Sequence, residues 1–158
     1  MRNNRIVLTP DRAVPIEYIV KAGETHYPGM VVQLDPTVAL QGGRHTAKIY
    51  SRTADGDRPA GPWIVVTEDI KQGKTVADAY NAGDRAVGAI PLQGCEINLL
   101  FNNVAGTADD VAAGNTFMVK NGAGKVAVKT GTPQTEVAMA LENLIDPVVD
   151  TLIWSVWS

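Results

Sequence analysis

The residues with the best claim to chemistry are Lys71-Gln72-Gly73-Lys74-Thr75, which end like a phosphate-binding P-loop. Such a loop wraps phosphate with backbone N–H groups, so it needs a glycine five positions before the second one and a helix behind it. Glu68 stands at that position, and its carboxylate repels phosphate; Asn81 and Gly83 end any helical pattern soon after. Thr75 is expected instead to cap a single turn, Thr75 to Asp78. Gly122, Gly124 and Lys125 also lack the following helix that a phosphate cradle requires. Asp55 and Asp57 would need a longer series of oxygen ligands closing on a glutamate to hold calcium, so they read as part of a solvated loop, Ala54 to Pro62. Asp109 and Asp110 read as solvated in the same way. His26 and His45 lie far apart in turn-rich text, without the spacing of shared metal ligands. Cys95, the single cysteine, cannot close an internal disulfide and falls on the apolar face of an alternating strand, where a thiol behaves as a small buried hydrophobe. No Gly-x-Ser-x-Gly elbow occurs. The sequence thus offers no catalytic residue, cofactor site or metal site.

The elements around these residues are short strands. From Tyr80 to Phe101, Gly83-Asp84 turns the chain, Arg85 to Ile90 is a strand, Pro91 to Gly94 interrupts, and Cys95 to Phe101 resumes. Cys95, Ile97, Leu99 and Phe101 share one face and Glu96 and Asn98 the other, the period of two that marks a sheet with one buried face. This stretch is expected to be the central ladder of a barrel. Further strands are expected over Ile16 to Lys21, Met30 to Leu34, Thr46 to Arg52, Trp63 to Thr67, Thr116 to Lys120, Lys125 to Thr130, Glu136 to Leu141 and Val148 to Ser158. Tyr27-Pro28-Gly29 and Asn121-Gly122-Ala123-Gly124 supply turns between them. Ala-Gly followed by an acid or amide recurs at residues 22–24, 82–84 and 113–115, and is read as a recurring turn, not as a duplicated module. In Glu136 to Leu141, Val137, Met139 and Leu141 face one way and two alanines the other.

With 158 residues the chain fits one domain with an arm. Fifteen glycines and 9 prolines against 2 phenylalanines favour many short strands over long helices. Fourteen basic against 17 acidic side chains give a net charge of −3, so neither nucleic acid nor an anionic membrane is an expected partner. No apolar run approaches the ~20 residues of a membrane helix, and none of signal-peptide length follows Arg2 and Arg5. The protein is therefore expected to be made and kept in a cytosol-like compartment. Residues 1–15 cannot fold alone and are read as an extended N-terminal arm before a single β domain at 16–158. Removing residues 1–14 is accordingly expected to leave the fold intact. In the terminal strand, Leu152, Trp154 and Val156 share one face and Ile153 and Trp157 the other, so it must lie inside a core or under another subunit.

Taken in order, these phrases resemble the head-decoration, or cement, proteins of tailed bacteriophages. The matching text is Ala22 to Val32, Tyr80 to Phe101, Val111 to Val128 and Glu136 to Glu142, before a final apolar strand. The resemblance implies an all-β, compact β-barrel-like or β-tulip domain with an extended N-terminal arm, not an enzyme. It implies a structural virion protein that decorates and stabilises an icosahedral capsid by bridging adjacent major capsid protein subunits. Its partners would be that capsid protein and itself, as a homotrimer. It would be synthesised in the host bacterial cytoplasm and end on the capsid exterior. Arg2, Arg5, Ile6, Leu8, Arg12, Trp154 and Trp157 are the expected capsid or subunit contacts. Two alternatives stand beside it: a carbohydrate- or host-surface-binding β module of a phage particle, using Tyr27, Tyr50 and Tyr80 as aromatic platforms, and a small enzyme with a site assembled from distant residues.

Overall fold

The computed structural model of the chain describes residues 5–51, 61–102, 110–120, 122–130, 135–144 and 150–158. The fold is all-β, with ten strands among the described residues where alternation and turn residues place them. They are β1 (Ala13–Val20), β2 (Val31–Leu34), β3 (Thr46–Ile49), β4 (Trp63–Val66), β5 (Arg85–Pro91), β6 (Glu96–Phe101), β7 (Thr116–Val119), β8 (Val126–Val128), β9 (Ala138–Ala140) and β10 (Thr151–Trp157). The described helix is limited to two 3-10 turns, Pro10–Arg12 and Ile70–Gln72.

The strands close two rings, not one. The first runs β1-β3-β2-β4-β5 and the second β6-β8-β7-β9-β10, each returning to its start. β5 and β6 therefore do not form a central ladder; they belong to different barrels, and the turn Leu92 to Cys95 carries the chain across. In each ring the first strand pairs parallel with the third, and every other pair is antiparallel.

The register repeats as well. Val20 faces Ala47 in the first barrel, as Phe101 faces Val126 in the second. Following the partners round each ring matches Leu34 with Val119, Ile64 with Ala138, Val66 with Ala140 and Gly88 with Ser155. Val87 then matches Trp154, and their partners Glu17 and Asn98 complete both rings without a slip. Barrel tilt and stagger follow from strand number and register, so the two rings have the same construction. A second double hydrogen bond repeats too: His26 and Tyr80 exchange both backbone bonds in the first barrel, and Val111 and Leu144 do so in the second.

The Ala-Gly phrases are turns, as read. The N–H groups of Glu24, Asp84 and Asn115 each donate to the carbonyl three residues back, at Lys21, Asn81 and Ala112. The glycine lies in each case at the third turn position with a φ of 82°, 83° or 92°, where a side chain would be strained. These turns alone do not report the duplication, since two of the three lie in the first barrel.

Each barrel has its own apolar filling. Tyr18, Val20, Val32, Ile64, Val66, Tyr80 and Ala86 fill the first; Ile97, Leu99, Phe101, Phe117, Val126, Ile153 and Trp157 fill the second. In β9 the inward residues are Ala138 and Ala140, while Met139 points out. The alternation left open which face is the core; a small ring already holding Phe101, Phe117 and Trp157 takes the methyl groups of the alanines.

Val31 and Val65 point out of the first barrel, yet both are fully buried, because that face lies against the second barrel. The Val31 N–H donates to Gly124, Leu100 to Gly29 and Gly122 to Tyr50, so the seam also carries backbone hydrogen bonds. Residues 5–9 complete it. They lie along β6, with Leu8 N–H donating to Glu96, Asn98 N–H to Ile6, and Glu96 N–H to the Thr9 hydroxyl. Together with Leu100 to Gly29 and Asn102 to Val126, this satisfies successive outward amides of the edge of β6. Ile6 is 0% exposed in the shared core. From residue 5 onward the segment thus packs on its own chain, which reverses the expectation that removing it leaves the fold intact.

Candidate functional site

The side chains that could carry chemistry are engaged in holding the fold. Asp69 caps the turn Ile70–Gln72 by accepting from the N–H groups of Lys71 and Gln72, and Gly73 ends it in the left-handed region. Lys74 reaches the Ala79 carbonyl at 2.7 Å and lies 4.9 Å over the Tyr80 ring. Thr75 and Asp78 cap each other's turn, as the sequence suggests. The P-loop-like run is therefore a latch for one loop. Lys125 pairs with Asp150 and Lys129 with Glu136. The Cys95 thiol is buried beneath Thr9, and burial pushes its pKa up, away from the reactive thiolate. Asp55, Asp57 and Asp109 lie outside the described residues. Among the described residues no group of three or more His, Cys, Asp and Glu side chains could hold a metal ion.

A polar network does lie inside the first barrel. His26 is buried with Nε2 3.0 Å from the Glu24 carboxylate and Nδ1 3.2 Å from the Tyr18 hydroxyl. A carboxylate only accepts, so Nε2 carries the proton and the bare Nδ1 of the neutral ring accepts from Tyr18. Glu24 also accepts from the Ile49 N–H at 2.6 Å, linking the turn to β3. Burial lowers the His26 pKa, and the Glu24 carboxylate opposes that only in part. Just past β2, the buried Asp35 is held by the Thr37 hydroxyl at 2.6 Å, by Lys21 at 2.9 Å and by Lys48 at 3.4 Å, and these contacts lower its pKa well below the usual carboxylate range.

The sign of the pH dependence follows. The folded His26 resists a proton that the unfolded chain accepts near pH ~6.5, so its contribution is complete above that value and is lost as pH falls through it. Asp35 stabilises above pH ~4 and loses its contribution as pH falls below that. Melting temperature against pH should therefore fall in two stages. His26→Gln should remove the first stage and leave the second; an unchanged profile would show that His26 takes no part.

The expected contact residues do not form one patch. Arg2 lies outside the described residues. Arg5 is exposed, and its carbonyl accepts from the Asn98 side chain at 2.7 Å. Ile6 is in the core, Leu8 is half-buried, and Arg12 is exposed with its guanidinium on the Gln93 carbonyl at 3.3 Å. Trp157 is buried inside the second barrel, while Trp154 points out and is 39% exposed. Tyr50 and Tyr80 are buried, which leaves Tyr27 as the exposed member of the three proposed aromatic platforms. Two adjoining grooves of about 370 and 560 Å³ run beside β1 and β5, past Val7, Pro15, Ile70 and Val87. Three of the charged groups there are in ion pairs, Glu17 with Arg85 at 3.6 Å and with Arg44 at 2.7 Å and Arg85 with Asp69 at 3.8 Å, while Glu68 accepts from the Ile6 N–H at 3.1 Å.

Two joined barrels whose described reactive groups latch turns and loops make a rigid scaffold that offers surfaces. The fold is found in a protein of a bacteriophage head. Over 92% of this chain and 94% of the other, the structure is similar to the crystal structure of head fiber gp8.5 N base in bacteriophage phi29, with a TM-score of 0.55 and 12% sequence identity. No protein-family model and no curated protein matches the chain.

Proposed function

We propose that the protein is a structural component of a phage virion, a decoration protein that binds the outside of the head and stabilises it. The observation that carries this reading is the match of the whole two-barrel fold to the base of a head fibre, in agreement with the class that the phrasing of the sequence resembles. The scaffold suits the role. Both rings are closed, and residues 5–9 cover the edge of β6, which limits the sheet edge open to pairing with other chains. In this reading each subunit bridges adjacent major capsid protein subunits, and copies associate as trimers, so that many small contacts act together against the pressure of packaged DNA.

Mixing the purified protein with expanded capsids that lack it, followed by sedimentation, tests the reading. The protein should pellet with the shells in a fixed ratio to capsid protein. Protein that stays in the supernatant at saturating concentration would end the decoration role, and binding to glycans instead would favour a host-surface module.

A further inference from the structure

We propose that the open outer face of the second barrel, centred on Met139, Trp154 and Val156, docks the first barrel of a second copy of this chain, repeating between molecules the contact made within one. The argument comes from the repeated register. Val65 matches Met139, Ala89 matches Val156, Val87 matches Trp154 and Val31 matches Thr116. In the first barrel most of this face is covered: Val65 is 0% exposed, Val31 is buried with it in the core shared with the second barrel and Ala89 is buried, while Val87 at the rim stays half-buried beside the groove along β1 and β5. In the second barrel the matching face is open, with Met139 38% exposed and Trp154 39%.

The covered face also shows what the occupant must be. The loop joining the second and third strands of the second barrel presses on it, through Gly124 O to Val31 N–H at 2.6 Å and Gly122 N–H to Tyr50 O at 2.7 Å. The matching loop of the first barrel, residues 35–45, carries Leu40, which is 57% exposed. That loop is held in shape by the Thr37 contacts to Asp35 and by the paired backbone of Gln41 and Arg44. A neighbouring copy would thus bring Leu40 and its loop onto Thr116 and the adjoining Met139, with Trp154 at the rim of the contact. Such a contact joins two different surfaces, so each copy keeps one unused surface at either end until a ring closes. The contact deepens the trimer expected above and does not depend on capsid binding.

Sedimentation velocity of the whole chain over a concentration series tests it. The wild type should form species at multiples of 16.8 kDa. Met139→Glu and Leu40→Glu should each raise the concentration needed for association by about tenfold or more while leaving the melting temperature within ~1 °C, since both side chains are exposed. An equimolar mixture of the two variants should regain dimers, because each retains the surface the other has lost. A wild type that remains monomeric, a Leu40→Glu variant that associates like the wild type, or a mixture that gives no dimers would each overturn the proposal. If the wild type is monomeric and Met139→Glu loses capsid binding, the face belongs to the shell and not to a second copy. Loss of capsid binding with association intact would leave this contact standing and sink the decoration role alone.

Discussion

Ile6→Ala is expected to lower the stability of the isolated protein by about 3 kcal/mol, the usual cost of emptying a buried aliphatic site. Ile6 is the second described residue, where a frayed segment would contribute nothing, but its side chain is fully buried among residues of both barrels. Its carbonyl also accepts from Asn98 on β6, so the segment is held by ladder hydrogen bonds as well as by burial. Denaturant unfolding should show a lower midpoint with an unchanged slope, since the folded state still buries nearly the same surface. Deleting residues 1–8 should cost more, because the N–H and the side-chain amide of Asn98 would lose their partners, the carbonyls of Ile6 and Arg5, as the cavity opened. A loss below about 0.5 kcal/mol for Ile6→Ala would return the segment to the role of a loose arm.

Gly29→Ala should cost about 3 kcal/mol, and it tests the seam between the barrels. Gly29 has a φ of 87°, and a β-carbon there would lie 2.5 Å from Leu152 Cδ2 and 3.0 Å from the backbone nitrogen of Leu100. The leucine tip can turn aside, but the amide of Leu100 is fixed by its hydrogen bond to Gly29 itself. Part of the cost is the left-handed backbone, and the remainder is the forced separation of two packed sheets. Gly23→Ala separates the two contributions: its φ is 82° and nothing lies within 4 Å of the added methyl, so only the backbone cost of about 1 kcal/mol remains. Equal losses for the two variants would mean that the barrels are not in tight contact at Gly29.

Local chemistry accounts for what was legible in the sequence. Period-two alternation and glycine turns depend on neighbours a few residues apart, so all ten strands and the all-β class could be read directly. Ring closure is a choice among partners distant along the chain, and nothing in Tyr80 to Phe101 shows that its two strands turn away from each other. The available signal was Trp63 to Val66, apolar on both faces, as a strand pressed between two cores must be. The terminal strand carried the same mark. There the correct inference was that one face fills a core, whereas the exposure of Trp154 depended on which barrel had a neighbour. The three-residue apolar patch Ile6 to Leu8 was too short to distinguish a strand from an arm, and its partner Ile97 lies some ninety residues on. The network of Tyr18, Glu24 and His26 could not be foreseen, because a turn and a strand end must meet before those side chains touch.

The central claim, that this two-barrel scaffold decorates a phage head, is tested most directly by imaging particles by electron cryo-microscopy with and without the protein. Difference density on the outer surface of the shell, repeated at equivalent lattice positions and large enough for both barrels of each copy, is the predicted result. Density confined to the tail or the interior, or shells that look the same with and without the protein, would contradict it.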